Sequence, residues 1–159
     1  MTSRELDVRA ALAAVKDPEI PVCSITDLGL VEQVNVTDDA VEVVLLPTFV
    51  GCPALDAIRI DVEHALAEVS DGRAVTVRYV LDPPWTTDRI NAAGREALRS
   101  FGISPPGTTL LTIGVRCPHC GSLATTLESD FGPTPCRSVR YCTACRNPFE
   151  GFKPKLPEE

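Results

Sequence analysis

The sequence predicts an α+β fold: a two-layer α/β domain of order αββαβα over residues 1–107, then a small β domain over 108–159. Three observations predict it. Apolar residues recur at three- and four-residue steps from Leu55 to Val69, while the runs 30–36 and 40–46 are β-rich. Five of the seven cysteines fall between Cys117 and Cys145, in a stretch without helical period. Charge divides at the same place: residues 1–107 hold 9 Lys/Arg against 17 Asp/Glu, net −8, and residues 108–159 hold 6 against 5, net +1.

The elements follow in order. Thr2 and Glu5 have the spacing of a capping box, so a helix starts there. Leu6, Ala10, Ala13 and Ala14 give it an apolar stripe, and Asp17-Pro18 ends it. The stretch 17–30 reads as a loop punctuated by Pro18, Pro21 and Gly29. Two strands follow, with Thr37-Asp38-Asp39 as a hairpin turn between them. After Cys52, Pro53 suits the first position of a helix carrying Leu55, Ile58, Val62, Leu66 and Val69. Asp71-Gly72 stops that helix, and Val75, Val77, Tyr79 and Leu81 alternate along a third strand. "DPPWTTD" is a rigid connector in which Trp85 is a packing anchor. Asp88 then caps a last helix with Ile90, Ala93, Ala97, Leu98 and Phe101, closed by Gly102. "SPPGTT" reads as a linker.

Composition limits function. The chain is 44% apolar and 23% charged, enough to pack a core, and with 5% aromatic residues that core is aliphatic. A net charge of −7 argues against sequence-independent nucleic-acid binding. No stretch resembles a signal peptide's apolar region, and no run reaches the roughly 18 apolar residues of a membrane helix. The expected location is the cytoplasm, where thiols stay reduced and cysteines serve metal or thiol chemistry.

"RCPHCGS" and "RYCTACRNPF" hold two Cys-x-x-Cys pairs, Cys117 with Cys120 and Cys142 with Cys145, with 21 residues between the pairs. Two intervening residues let a tight knuckle aim both sulfurs at one ion, and two knuckles on a hairpin close a tetrahedral site. That is zinc-ribbon geometry, with strands expected at Thr125–Glu128 and Ser138–Tyr141 turning through Phe131-Gly132-Pro133. Four thiolates suit a structural zinc; they also suit iron, as one ion or in a cluster. His119 is an exposed spacer, since four cysteines complete the shell. Cys136 is either a small strand residue or an exchangeable thiol.

Cys52 stands apart, before a helix. The helix dipole favours its thiolate and would lower its pKa; the alternative is a buried small residue. No base stands beside it in sequence, and His64, about three turns along the same helix, reads as a solvated surface residue, which argues against a Cys–His hydrolase. Asp17, Glu19, Asp27 and Asp82 lie near element ends, where carboxylates cap helices and brace turns.

The stretches "DPEIPVCSITDLGLV", "PTFVGCPA" and "DPPWTTDRINAAGREALRSFGI" resemble the SufT-like group of iron–sulfur assembly factors, from about Val8 to Ile103. The segment "VRCPHCGS…CRSVRYCTACRNPFEGFKP" resembles the PaaD branch, found with the phenylacetyl-CoA epoxidase of phenylacetate degradation. The resemblance implies an iron–sulfur-assembly-type domain at 1–107 and a four-cysteine zinc ribbon at 108–159. It implies a non-catalytic maturation protein that assists delivery of iron or an iron–sulfur cluster to the epoxidase's oxygenase or reductase subunits. Cys52 would handle the iron or cluster, with Asp17 and Asp27 at family motif positions; Cys117, Cys120, Cys142 and Cys145 would hold zinc. One cysteine cannot complete a cluster's coordination, so a second copy in a homodimer, a small thiol or the client must supply the rest. The alternative is a non-catalytic structural subunit of the epoxidase complex. No nucleic-acid or membrane partner is implied. Cys23 is an added thiol outside the motif.

Overall fold

The first helix, α1 (Ser3–Ala14), begins where the capping spacing places it: the Thr2 hydroxyl accepts from the Glu5 backbone N–H at 3.2 Å. The computed structural model describes residues 2–107 and 114–153. They fall into two compact units, Met1–Trp85 and Thr86–Glu159. Composition puts the division at 107, beside a stretch outside the described residues; Thr108 and Thr109 of the expected linker lie in that stretch.

In the first unit α1 buries Val8 and Leu12, not the expected stripe; Leu6 is 49% exposed, and Ala13 and Ala14 are exposed. Two branched side chains one turn apart remove more apolar area from water than a row of methyl groups, so they set the helix's rotation. The expected loop contains a short antiparallel hairpin, β1 (Lys16–Asp17) and β2 (Ile20–Ser24). β3 (Val31–Val36) and β4 (Ala40–Leu45) pair antiparallel. Helix α2 (Leu55–Ala67) then crosses over, so β5 (Ala74–Tyr79) joins β4 in parallel, with Val43 opposite Val77 and Leu45 opposite Tyr79. The sheet order is β3-β4-β5. α2 buries Ile58, Val62 and Leu66 and packs on β5 and α1. Because β4 and β5 run parallel, the loops after both strands emerge at one edge of the sheet, and Cys52 is in the first of them. Trp85 is buried and donates Nε1–H to the Leu28 carbonyl at 2.9 Å, the anchoring role expected of it.

The second unit opens with a 3₁₀ turn (Thr87–Arg89) and α3 (Ala92–Ser100). Asp88 lies inside the turn and does not cap α3; Asn91 does, its side chain accepting from the Gly94 N–H at 2.7 Å. Strands β6 (Ile103–Ser104), β7 (Thr125–Ser129), β8 (Arg137–Cys142) and β9 (Pro148–Phe152) form one sheet of order β6-β9-β8-β7. The β7–β8 hairpin matches expectation; β6 and β9 are additional. Gly132 sits in the connection, where an added Cβ would come within 2.8 Å of the Arg137 carbonyl oxygen. The guanidinium of Arg95 donates to the carbonyls of Ile90, Thr87 and Pro106, which ties α3 to the segments on both sides of it.

Candidate functional sites: a four-cysteine cluster and a loop thiol

The two Cys-x-x-Cys segments fold as matching knuckles. The Gly121 N–H donates to the Cys117 carbonyl at 2.9 Å, and the Arg146 N–H donates to the Cys142 carbonyl at 2.8 Å. The residue after each second cysteine is left-handed, Gly121 at φ +75 and Arg146 at φ +61. This turns each backbone back so that both of its thiols point the same way. The four Sγ atoms lie within 4.8 Å of one another, with Cys117–Cys145 at 3.7 Å and Cys120–Cys142 at 3.6 Å. A single ion with metal–sulfur bonds of about 2.3 Å has tetrahedral S–S edges of about 3.8 Å. The four cysteines therefore fit one tetrahedral ion. The Asn147 side-chain amide donates toward Cys145 Sγ at 3.6 Å, orienting that sulfur. Cys117 and Cys142 are buried with Phe149, Val115 and Cys145 around them, while Cys120 is exposed. His119 is exposed and outside the cluster. Cys136 is also outside it, in the turn before β8, with Sγ 3.1 Å from the Thr134 hydroxyl.

Cys52 lies in the β4–α2 loop. Helix α2 starts at Leu55, so Pro53 belongs to the preceding turn and not to the helix's first position. The Cys52 N–H donates to the Phe49 carbonyl at 3.2 Å, and the Leu55 N–H to the Cys52 carbonyl at 3.3 Å. The thiol is half-buried, and burial pushes its pKa up. The Ala54 N–H and the Thr48 hydroxyl bond to sulfur and pull it down, while the Asp17 and Glu19 carboxylates push it up. The net direction is up. This reverses the lowered pKa expected from the helix dipole: the sulfur precedes the helix by a turn, and desolvation and two carboxylates outweigh the Ala54 N–H and the Thr48 hydroxyl.

The hairpin of β1 and β2 thus brings Asp17 into the electrostatic surroundings of Cys52. Asp17 also braces its own turn, Oδ1 accepting from the N–H groups of Glu19 (2.7 Å) and Ile20 (3.0 Å). Asp27 makes a local loop, its Oδ2 accepting from the Ser24 hydroxyl at 2.7 Å and the Ser24 N–H at 3.1 Å. Asp27 and Asp17 both act on Cys23, whose buried thiol is pushed up to about 11, chiefly by desolvation. His64 is exposed on α2. Sequence reasoning did not single out Thr48 or Tyr79 for the site. Tyr79 donates its hydroxyl to the Leu55 carbonyl at 2.9 Å, and burial, then the neighbouring Cys52, holds its proton on. Thr48 had a readable signal, a hydroxyl in the same short loop; Tyr79 reaches the loop only through the β4–β5 register. Among the described residues, the four ribbon cysteines are the group that converges tightly enough for a metal ion.

Comparison with known proteins gives a family match for each part of the chain. Residues 5–78 match the family described as iron–sulfur cluster assembly protein, and residues 104–153 match the PaaD zinc beta ribbon domain. The chain is 41% identical over 151 residues to an Escherichia coli K12 protein named as a candidate subunit of 1,2-phenylacetyl-CoA epoxidase, covering 92% of this chain and 91% of that one. The Fe–S protein maturation auxiliary factor SufT of Staphylococcus aureus is 39% identical over 85 residues, which is 53% of this chain and 96% of SufT. A crystal structure of a DUF59 domain from Bacillus anthracis superposes with a TM-score of 0.56 at 31% identity, covering 60% of this chain and 92% of that domain. No helix among the described residues is long and apolar enough to cross a membrane. A DUF59-like α+β domain, a four-cysteine ribbon behind it and near-full-length similarity place the chain in the PaaD family, a branch of the SufT-like iron–sulfur assembly proteins.

Proposed function

We propose that this protein is an accessory maturation factor for a phenylacetyl-CoA epoxidase, delivering iron or an iron–sulfur cluster to its oxygenase or reductase subunits. The observation that carries the reading is the loop thiol Cys52, half-buried beside Asp17 and Glu19. A single thiolate holds iron in transit, and nearby carboxylates attract the cation. Delivery is ligand exchange without redox change. An iron–Cys52 bond breaks as an iron–sulfur bond to the client forms, and the client thiol's proton goes to the released Cys52 sulfur. A raised Cys52 pKa favours that last step, because proton and metal compete for the same sulfur. Asp27 acts at one remove, by holding the Ser24 turn.

The ribbon holds zinc in this reading, and that zinc supplies folding free energy that a small segment lacks. The protein itself is not a catalyst; the SufT relative's name as an auxiliary factor supports that. The word subunit in the E. coli relative's name supports a second reading, a structural component of a stable complex. Anaerobic reconstitution separates the two. Wild type should transfer a cluster to apo-reductase or iron to apo-oxygenase, and Cys52→Ala should not. Equal transfer by both proteins would remove Cys52 from the mechanism. Co-purification in fixed stoichiometry without transfer would favour the structural reading.

A further inference from the structure

The second unit contains a cleft of about 580 Å³, within the usual range of small-ligand pockets. Three arginines line it, Arg95, Arg99 and Arg116, and no carboxylate among the described residues does. The stretch 108–113, outside the described residues, carries no charged residue by sequence. The three cations differ in what they can offer. Arg95 spends its donors on three backbone carbonyls, so it contributes fixed positive charge rather than ligand bonds. Arg99 is half-exposed and pairs with the exposed Glu96, a surface pair of the kind that yields readily to competition. Arg116 gives one Nη to the Gly121 carbonyl in the first knuckle. Pro105, Pro106 and Leu123 supply apolar wall.

We propose that this cleft binds a small organic anion, its carboxylate or phosphate head on Arg99 and Arg116 and its apolar body against Pro105, Pro106 and Leu123. Guanidinium forks match both head groups, and the proline faces accept a flat apolar body without rotamer cost. The site is independent of Cys52 and of the delivery reading. A competing account is that the arginines only offset the charge of a divalent ion in four thiolates, since Cys117 and Cys120 also border the cleft.

The test uses the zinc-loaded chain of 159 residues titrated with phenyl phosphate, phenylacetate and uncharged phenylacetamide, followed by NMR shifts and calorimetry. Expected is saturable binding of at least one anion, no binding of the amide, and a roughly tenfold weaker dissociation constant in Arg99→Gln and in Arg116→Gln. Arg99 is exposed on α3, so its variant keeps the test valid if Arg116→Gln loosens the knuckle. Preference between the two anions identifies the head group. Absence of saturable binding at millimolar anion would overturn the proposal. So would equal binding of amide and anion, or binding unchanged by Arg99→Gln while Arg116→Gln alters only zinc retention.

Discussion

At Cys52 two opposing sets of interactions decide how much thiolate exists. Burial and the Asp17 and Glu19 carboxylates oppose it; the Ala54 N–H and Thr48 hydroxyl support it. The sequence places the cysteine before a helix, and that much was legible. The carboxylates arrive from a hairpin distant in sequence, which no local pattern reports. Alkylation of Cys52, followed by peptide mass spectrometry, should rise with pH through a midpoint above the ordinary thiol value of 9.0. Thr48→Val should slow it about tenfold at pH 8, by removing a bond to the charged form. Asp17→Asn should speed it, since the amide oxygen can still brace the turn while the charge is gone. Cys23 makes the companion prediction for stability. Its thiol deprotonates near 9 when unfolded and near 11 when folded. The folded state therefore gains stability from it that is fully present below pH 9 and is lost as pH rises toward 11. The loss should approach about 3 kcal/mol. Urea midpoints between pH 8 and 11 should fall more steeply for wild type than for Cys23→Ala.

Among the elements, those with a strong period or a cap signal were readable. The Leu55–Ala67 helix and the β3–β4 hairpin lie close to where alternation and periodicity put them. The β1–β2 hairpin was not readable because Pro21 interrupts it and its partner strand is two residues long. β9 was missed because Pro148 and Gly151 read as loop, while its pairing with β8 is a tertiary fact. The start of α3 is the sharpest case. Asp88 and Asn91 are both capping residue types, and the choice between them rests on the 3₁₀ turn that absorbs Asp88. Asn91→Ala should cost about 1 kcal/mol in urea unfolding of the full chain, since it strips the acceptor from the Gly94 N–H. Asp88→Ala should be near neutral, because Asp88 is exposed and caps nothing in α3. The opposite ranking would move the helix boundary.

For the whole molecule, the run of helix and linker signals and the packing divide the chain at different places for a physical reason. Helical pattern joins 86–107 to the helices before it and sets the expected boundary at the linker behind it, although the segment holds 3 Lys/Arg against 2 Asp/Glu, net +1, where 1–85 holds 6 against 15, net −9. Contacts instead bind that segment to the ribbon strands: β6 pairs with β9, and the Ser104 hydroxyl donates to the Arg116 carbonyl at 2.7 Å. The convergence of the Cys-x-x-Cys pairs on one another was legible because spacing alone fixes a knuckle. The extent of the unit built around them was not, since it depends on a strand pairing across some fifty residues of sequence. The two units should accordingly respond differently to metal loss. The first has an aliphatic core of its own, with Val43, Leu45, Ile58, Val62 and Leu66 buried across sheet and helix. Among the described residues, the buried cluster around the cysteines of the second is Cys117, Cys142 and Phe149, with Val115 and Cys145 packed against it. Four uncoordinated thiols are a poor substitute for metal–thiolate bonds there, so binding free energy and folding free energy are largely the same quantity. Chelation, or Cys142→Ser, should therefore raise amide hydrogen exchange across β7, β8 and β9 by orders of magnitude, while amides of β4 and α2 stay protected. Readdition of zinc should restore the wild-type chain and not the variant. Exchange rising equally in β4 and α2 would mean that the ribbon's metal also supports the first unit, and that the two units unfold as one.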